Sequence, residues 1–438
     1  MNYESLQLKF KNLIDNSPMS AYQIIIVAIC FVLNMNDGID VLVVSFSGTA
    51  ITTEWGLSKT ELGYVFSAGL AGMTLGCFFI APLADRIGRR KVFLISLILI
   101  TSGMLLVAAC NAYYQLLILR LITGLGIGGI LPTMAATAAE FSNNKNRDFN
   151  VGLVQAGWPV GAILTGFFCA YAIPEFGWRL AFLFAGGVSF LMLVGVWIFM
   201  TDSLEFLGKQ QPENAHEKIN VLLTKMGHEA ISSLPEKPAA QAKASPKALF
   251  SPAYSNSTIK LWIAIFFGFL TLYTLMSWVP NIAKDAGLDF EMATYVGIAL
   301  NLGAAIGTAS LGIVAGKFGL KKTVLGFMLC AVVVMLIYGN VSLSTTFIFV
   351  MIFLIGTFVQ GGFNGMYPTI SRVYPAEIRT TGVGFAVGVG RFGAILGPTL
   401  FGALSDAGLG IPTLFSLFSL PLLITGICAY SLKSKELS

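Results

Sequence analysis

LADRIGRRK, residues 83–91, is a short basic run between two long apolar ones. A second version, VAGKFGLKK, stands at 314–322, so that Gly88 falls on Gly319, 231 residues further on. GAIL at 161–164 recurs at 393–396, an interval of 232 residues. Two different motifs repeated at intervals that differ by one residue imply a duplicated chain whose copies run in the same register. Apolar runs of 18 residues or more fill most of the sequence on both sides of each motif, and each reads as a membrane-spanning helix. Reading between polar breaks gives twelve spans, centred near residues 34, 70, 101, 126, 160, 190, 271, 303, 331, 358, 391 and 421.

Composition agrees. Of 438 residues, 55% are hydrophobic and 11% charged, with a mean hydropathy of +0.78. Soluble domains carry roughly 25% charged residues. The expected fold is an all-α polytopic membrane protein, with twelve transmembrane helices in two pseudo-symmetric six-helix bundles. The first bundle is expected over 1–200 and the second over 259–438. Between them, 201–258 is polar, rich in proline, and reads as a cytoplasmic linker. Within it Ile219, Leu222, Leu223 and Met226 share one helical face and suggest a short interfacial helix.

Orientation follows from the basic residues. With the N-terminus inside, the inner segments hold 22 of the 27 Lys and Arg. The outer loops hold Lys59, Arg179 and Lys284, and Arg120 and Arg391 lie within spans. Positive residues gather on the cytoplasmic side, so both termini are expected there. This distribution also accounts for the net charge of +5, which carries no nucleic-acid signal. Cys30, Cys77, Cys110, Cys169, Cys330 and Cys428 lie in or beside spans with no C-x-x-C spacing, and read as small apolar residues. Both histidines, His216 and His228, lie in the linker. These residues predict no metal site, no cofactor and no enzymatic centre.

Intramembrane charge is costly and marks function. FVLNMNDGIDVLVVSF, residues 31–46, places Asp37 and Asp40 three apart, on one face of the first span. Two carboxylates sharing a low-dielectric site resist being ionised together. The pair therefore suits a proton, or contact with substrate, while simple hydrogen bonding to neighbouring helices is the alternative. Gly38 between them lets a helix or ligand come close. Arg120 suits either an ion pair with an aspartate of the first span or tuning of the proton site. Arg391 sits in GVGRFGAIL, where Gly388, Gly390 and Gly393 are expected to clear space for a ligand. A guanidinium is a natural bidentate partner for a carboxylate, so Arg391 is expected to grip an acid, the alternative being an internal ion pair. Trp158, Tyr273, Trp278, Phe363 and Tyr367 are the aromatic candidates for the cavity. Gln155, Asn301, Gln360 and Asn364 are the polar ones. Asn364 and Tyr367 lie three apart on one helical face.

LADRIGRRK and the run RLITGLGIG, 120–128, resemble signatures of the major facilitator superfamily, and the likeness extends over the whole chain. D-G-I-D in the first span and YPAEIRTTGVGFAVGVGRFGAILGP at 374–398 resemble the aromatic acid:proton symporters within it. That resemblance implies a bacterial inner-membrane importer of a small aromatic carboxylate, driven by protons and working as a monomer by alternating access. It implies a proton-coupling role for Glu140 beside Asp37, Asp40 and Arg120. It also implies an inner gate of Asp85, Arg89 and Arg90, with Arg379 in the second half. The second copy departs from the first by placing Gly316 where Asp85 stands. The alternative is a proton-coupled exporter of drugs or metabolites on the same fold. Span five reads GLVQAGWPVGAILTG, without the G-P-x-x-G-G expected of such antiporters.

Overall fold

The computed structural model describes residues 3–235, 246–341 and 344–432. Most of the low-complexity stretch PEKPAAQAKASPK and the basic tail after residue 432 lie outside the described residues. Helix α1 (Tyr3–Asn16) precedes α2 (Ala21–Trp55), α3 (Lys59–Phe79), the one-turn α4 (Ala84–Ile87), α5 (Arg89–Ala109), α6 (Tyr113–Glu140), α7 (Arg147–Phe176) and α8 (Trp178–Phe199). The connecting segment forms α9 (Leu204–Gln210) and α10 (Ala215–Lys225). Then follow α11 (Ser255–Asp285), α12 (Phe290–Phe318), α13 (Leu320–Asn340), α14 (Thr345–Asn364), α15 (Met366–Val373), α16 (Ala376–Asp406) and α17 (Ile411–Tyr430). Among the described residues twelve helical stretches are long and apolar enough to cross a membrane, α3 with α4 and α14 with α15 each counting as one. Each expected centre falls inside one of them.

Local chemistry sets where the helices begin. Ser20 with Gln23 and Ser58 with Glu61 form capping boxes that open α2 and α3. Asp289 accepts the Met292 N–H and opens α12.

The packing repeats. In the first half α3 packs on α6, α2 on α7, and α5 on α8. In the second, α12 packs on α14, α11 on α16, and α13 on α17. Matching the helices in order makes these the same three pairings. Across the interface, α3 on α16 and α7 on α12 exchange under the same operation. Two six-helix bundles related by pseudo-two-fold symmetry follow from these pairings.

Close approach comes from small residues. A Cβ on Gly38 would stand 2.2 Å from the Trp158 carbonyl, so Gly38 admits α7. Gly124 and Gly128 admit the α3 backbone in the same way.

Contacts between the halves concentrate at the end away from the linker. Ser45 donates to the carbonyls of Met276 and Ser277, and Thr49 donates to Asn281 Oδ1 at 2.8 Å. Asp406, at the end of α16, accepts the backbone N–H groups of Lys59 and Thr60 and the Thr60 hydroxyl. A carboxylate on a helix N-terminus is favourable. Lys59 in turn meets Asp285 at 2.6 Å. At the linker end, Leu6 and Phe10 of α1 are buried, and α1 packs on α9. Ile219, Leu222, Leu223 and Met226 are buried together, as their spacing predicts.

Candidate functional site

The site is built around the polar stretch 34–40 of α2, whose side chains fan out to different neighbours. Asn34 donates to the Val154 carbonyl of α7 at 2.8 Å. Asn36 accepts from Ser189 of α8 at 2.8 Å. Asp40 takes Arg120 of α6 in a fork, Nη1 to Oδ1 at 2.9 Å and Nη2 to Oδ2 at 3.2 Å. Arg120 is 4% exposed, so this is a fully buried ion pair. A cavity of about 20 Å³ lies beside it, lined by Asp40, Phe66, Gly69, Met73, Arg120 and Ser277 among others. That is room for about one water.

Asp37 differs from Asp40. It is buried, and its Oδ1 has no hydrogen-bond partner among the described residues. The cation within coulombic range of it is Arg391, on α16 of the other half.

Arg391 is 8% exposed. Among the described residues no carboxylate comes within ion-pair distance of it. Its Nη1 donates to the Tyr273 hydroxyl at 3.2 Å and stands 2.6 Å from Met73 Sδ. Its Nε is buried without a partner. The guanidinium lies 5.4 Å from the Phe269 ring centre and 5.9 Å from that of Tyr273, within cation–π range. The rings continue outward: Phe269 meets Phe363 at 4.5 Å, and Phe363 meets Tyr367 edge-on at 5.9 Å. Tyr367, at the end of this run of rings, is 39% exposed.

One sequence expectation is overturned here. The glycines around Arg391 leave no space for a ligand. A Cβ on Gly390 would strike Ile265 and Phe269, one on Gly393 the Phe266 carbonyl, and one on Gly388 the Phe78 ring. They let α11 and Phe78 approach α16, and the guanidinium is surrounded by aromatic rings instead.

The other predicted residues fall into groups. Tyr273, Phe363 and Tyr367 gather around Arg391. Asn364 donates to Thr308 and accepts from Gln360, and Asn301 is buried on α12. A break at Gly365 separates Asn364 in α14 from Tyr367 in α15. Gln155 is exposed and contacts Asn34, while Trp158 packs its backbone on Gly38. Trp278 departs from the cavity expectation. It is buried at the far seam, donating to the Pro398 carbonyl and packing on Phe66 of the first half.

Glu140 is placed apart from the aspartates. It binds Arg89 in an ion pair at the linker end. Asp85 lies 3.8 Å from Arg89 with its side chain 71% exposed. Arg90 donates its backbone N–H to Asp202 at 3.0 Å and its guanidinium to the Trp197 carbonyl. Gln210 of α9 holds the Asp85 carbonyl at 2.8 Å. Gly88 has φ 100°, and a Cβ there would stand 2.5 Å from the Asp202 carboxylate. Burial pushes the Asp202 carboxyl above its usual range, against the pull of Arg90. Burial also raises Glu205, with Glu140 adding to it. Arg379 is exposed and donates to the Tyr374 carbonyl of its own half.

The sequence profile of the Major Facilitator Superfamily matches residues 26–310 and, again, 261–437. The chain belongs to the major facilitator superfamily. It is thus a multi-pass membrane transporter and not an enzyme. Among relatives of this superfamily protein, a gallate transporter of Pseudomonas putida is 32% identical over 94% of this chain and 92% of its own. A 4-hydroxybenzoate transporter of Acinetobacter baylyi is 29% identical over 95% and 93%. In three dimensions the chain is similar to an inward-open xylose transporter from E. coli, with a TM-score of 0.72 and 15% identity over 93% of this chain and 95% of that one. At that identity the likeness carries the fold alone.

Sequence reasoning on this superfamily member missed Asn34, Asn36, Met73, Phe269 and Asp202. Asn34 and Asn36 were visible as polar residues inside an apolar span, the same signal that singled out Asp37. Phe269 and Met73 had no signal, because apolar residues in a span are the background. Asp202 sits at the start of the polar linker, where a charge is unremarkable.

Proposed function

We propose that the protein imports a small aromatic carboxylate together with protons across a bacterial inner membrane. In this reading it works as a monomer by alternating access, and both termini are cytoplasmic. The observation that carries the proposal is Arg391. A buried guanidinium with no carboxylate partner is expensive, and this one is set among rings instead. A carboxylate ligand supplies the missing partner, and an aromatic ligand supplies faces for Tyr273, Phe269, Phe363 and Tyr367. The relatives named for gallate and 4-hydroxybenzoate favour the same substrate class.

Coupling follows from Asp37. A substrate carboxylate at Arg391 takes over the cation within range of Asp37, so binding the anion goes together with a proton on Asp37. The Asp40–Arg120 pair is already neutralised and holds α2 to α6 while this happens. The far seam of Asp406, Lys59, Asp285 and Asn281 is closed, which fits an inward-facing state in which Tyr367 lines the open side. On this reading the cluster of Asp85, Arg89, Arg90 and Glu140 belongs to the inner gate.

The test is binding and uptake by the purified full-length protein. Benzoate, 4-hydroxybenzoate and cinnamate are compared with an aliphatic diacid by thermal shift. A ligand present at 100 times its Kd should add about 2.7 kcal/mol of stability. In proteoliposomes, an imposed inward proton gradient should then drive accumulation of the same aromatic acid. Stabilisation by the diacid alone, or by none of the acids, counts against the proposal.

A further inference from the structure

The polar seam between α12 and α14 has a direction that hydrogen-bond bookkeeping fixes. Thr308 donates its single hydroxyl hydrogen to the Ala304 carbonyl at 2.8 Å. Toward Asn364 its oxygen can therefore only accept, and Asn364 Nδ2 donates to it at 2.7 Å. That sets the Asn364 amide, whose Oδ1 then accepts from Gln360 Nε2 at 3.3 Å. The relay ends in Gln360 Oε1, a buried acceptor with no partner among the described residues. Flipping the Asn364 amide alone would set its oxygen against the Thr308 oxygen, and flipping the Gln360 amide alone would set its oxygen against Asn364 Oδ1, so the direction holds. Asn301 repeats the logic on α12. Its Nδ2 donates to the Gly297 carbonyl at 2.9 Å, and its Oδ1 is left buried and unpaired in a residue 1% exposed.

Buried acceptors are normally paired, and leaving one unpaired costs free energy. The first of these, on Gln360, lies near the ring cluster. Gln360 and Phe363 share a face of α14 one turn apart. The Phe363 ring touches Phe269, which lies under the Arg391 guanidinium. Gln360 thus stands one helical turn from the ring that meets Phe269, and an acid long enough to run from Arg391 along these rings would meet it.

We propose that Gln360 is a specificity-determining residue that selects acids bearing a hydrogen-bond donor on the ring, such as a phenolic hydroxyl. Thr308 and Asn364 are positioning residues that hold its oxygen outermost, and Asn301 offers a second acceptor of the same kind. This rests on the aromatic-acid reading above, and it adds that a ring without a donor leaves the relay's last acceptor unpaired.

The experiment measures direct binding to the purified full-length protein, using benzoate, 3- and 4-hydroxybenzoate, and their methoxy ethers. The ethers have an oxygen in the same place but no donor. Wild type should bind the better hydroxybenzoate about tenfold more tightly than its ether. Gln360→Met keeps the side-chain length and removes the acceptor, so the ratio should fall to about twofold or less. The ether's own affinity should stay within about twofold, because its carboxylate and ring contacts are untouched. Thr308→Val releases the relay at its root and should lower the same ratio with the ether again unchanged, which a merely structural role would not do. If Gln360→Met does not fold, Thr308→Val decides. A ratio near one in wild type, or a ratio that survives in the folded variants, overturns the proposal while leaving aromatic-acid transport standing. If no benzoate binds wild type at all, the underlying reading fails first and this proposal with it.

Discussion

Arg120 and Arg391 are both arginines deep in the membrane span, and the protein treats them oppositely. Arg120 is met by both oxygens of Asp40, so its charge is cancelled within the first half. Arg391 is met by a tyrosine hydroxyl, a methionine sulfur and two ring faces. The first arrangement is complete without a ligand. The second has no carboxylate partner among the described residues, and it lies where α16 meets Met73 of the other half. A buried pair is costly to break and contributes modestly when intact, so the complete arginine is expected to govern stability and the incomplete one binding.

The largest effect should come from breaking the complete pair. Asp40→Ala leaves Arg120 buried and uncompensated, and should cost about 3–5 kcal/mol of unfolding stability. The double variant Asp40→Leu with Arg120→Met should recover most of that. Arg391→Met should cost less, about 1.5 kcal/mol, as a swap of similar volume that breaks no ion pair. Thermal unfolding in detergent checks all three, and equal losses at the two arginines would dissolve the distinction.

Next comes affinity. Arg391→Lys keeps the charge and loses the planar fork, so binding of an aromatic acid should weaken roughly ten- to a hundredfold. Arg391→Ala should weaken it further. The corresponding amide should bind wild type poorly and lose little more in either variant. Acid and amide weakening in parallel would make Arg391 structural, like Arg120.

The two aspartates sharpen the same contrast. Asp37→Asn should leave stability nearly unchanged while removing the response of uptake to a pH gradient. That response is worth about tenfold accumulation per pH unit for each coupled proton. Asp40→Asn should disturb stability as well. Wild-type pH dependence in Asp37→Asn, measured in proteoliposomes, moves the proton elsewhere.

The smallest effect lies at the linker end, where the two repeats also differ. Gly88 and Gly319 share a positive φ, 100° and 84°. Asp202 crowds Gly88, whereas nothing stands within 4 Å of a Cβ on Gly319. Because burial raises the Asp202 carboxyl, its contribution to stability is full at low pH and is lost as pH rises through the raised value. Asp202→Asn keeps an acceptor for the Arg90 N–H and removes the ionisation. Stability above about pH 4 should then fall less with rising pH, by about 1 kcal/mol or less. An unchanged pH slope would show that the Arg90 and Lys91 charges already cancel the cost.

How much of this was legible beforehand follows from the kind of interaction involved. Hydropathy and length found the twelve spans, because the membrane demands a continuous apolar run whatever lies next to it. The repeated LADRIGRRK-like loop and GAIL gave the duplication. Unexpected charge gave Asp37, Asp40, Arg120 and Arg391, because its cost is local and independent of fold. Partnership was not readable. Asp40 and Arg120 are 80 residues apart, and Arg391 and Met73 are 318 apart. Helical periodicity says which side chains share a face, but not which helix that face meets. So the sequence left Asp37 and Asp40 alike, read the glycines near Arg391 as ligand space, and grouped Glu140 with the aspartates. Only the packing of α2 against α6, α7 and α8, and of α16 against α3 and α11, decided that one aspartate is paired and the other is not. Sequence alone determined the solvent, the spans, the duplication and the costly residues, since each depends on a residue and its near neighbours. Tertiary structure decided which of those costs are cancelled by an ion pair inside the protein and which are not, since that depends on atoms brought together from distant parts of the chain.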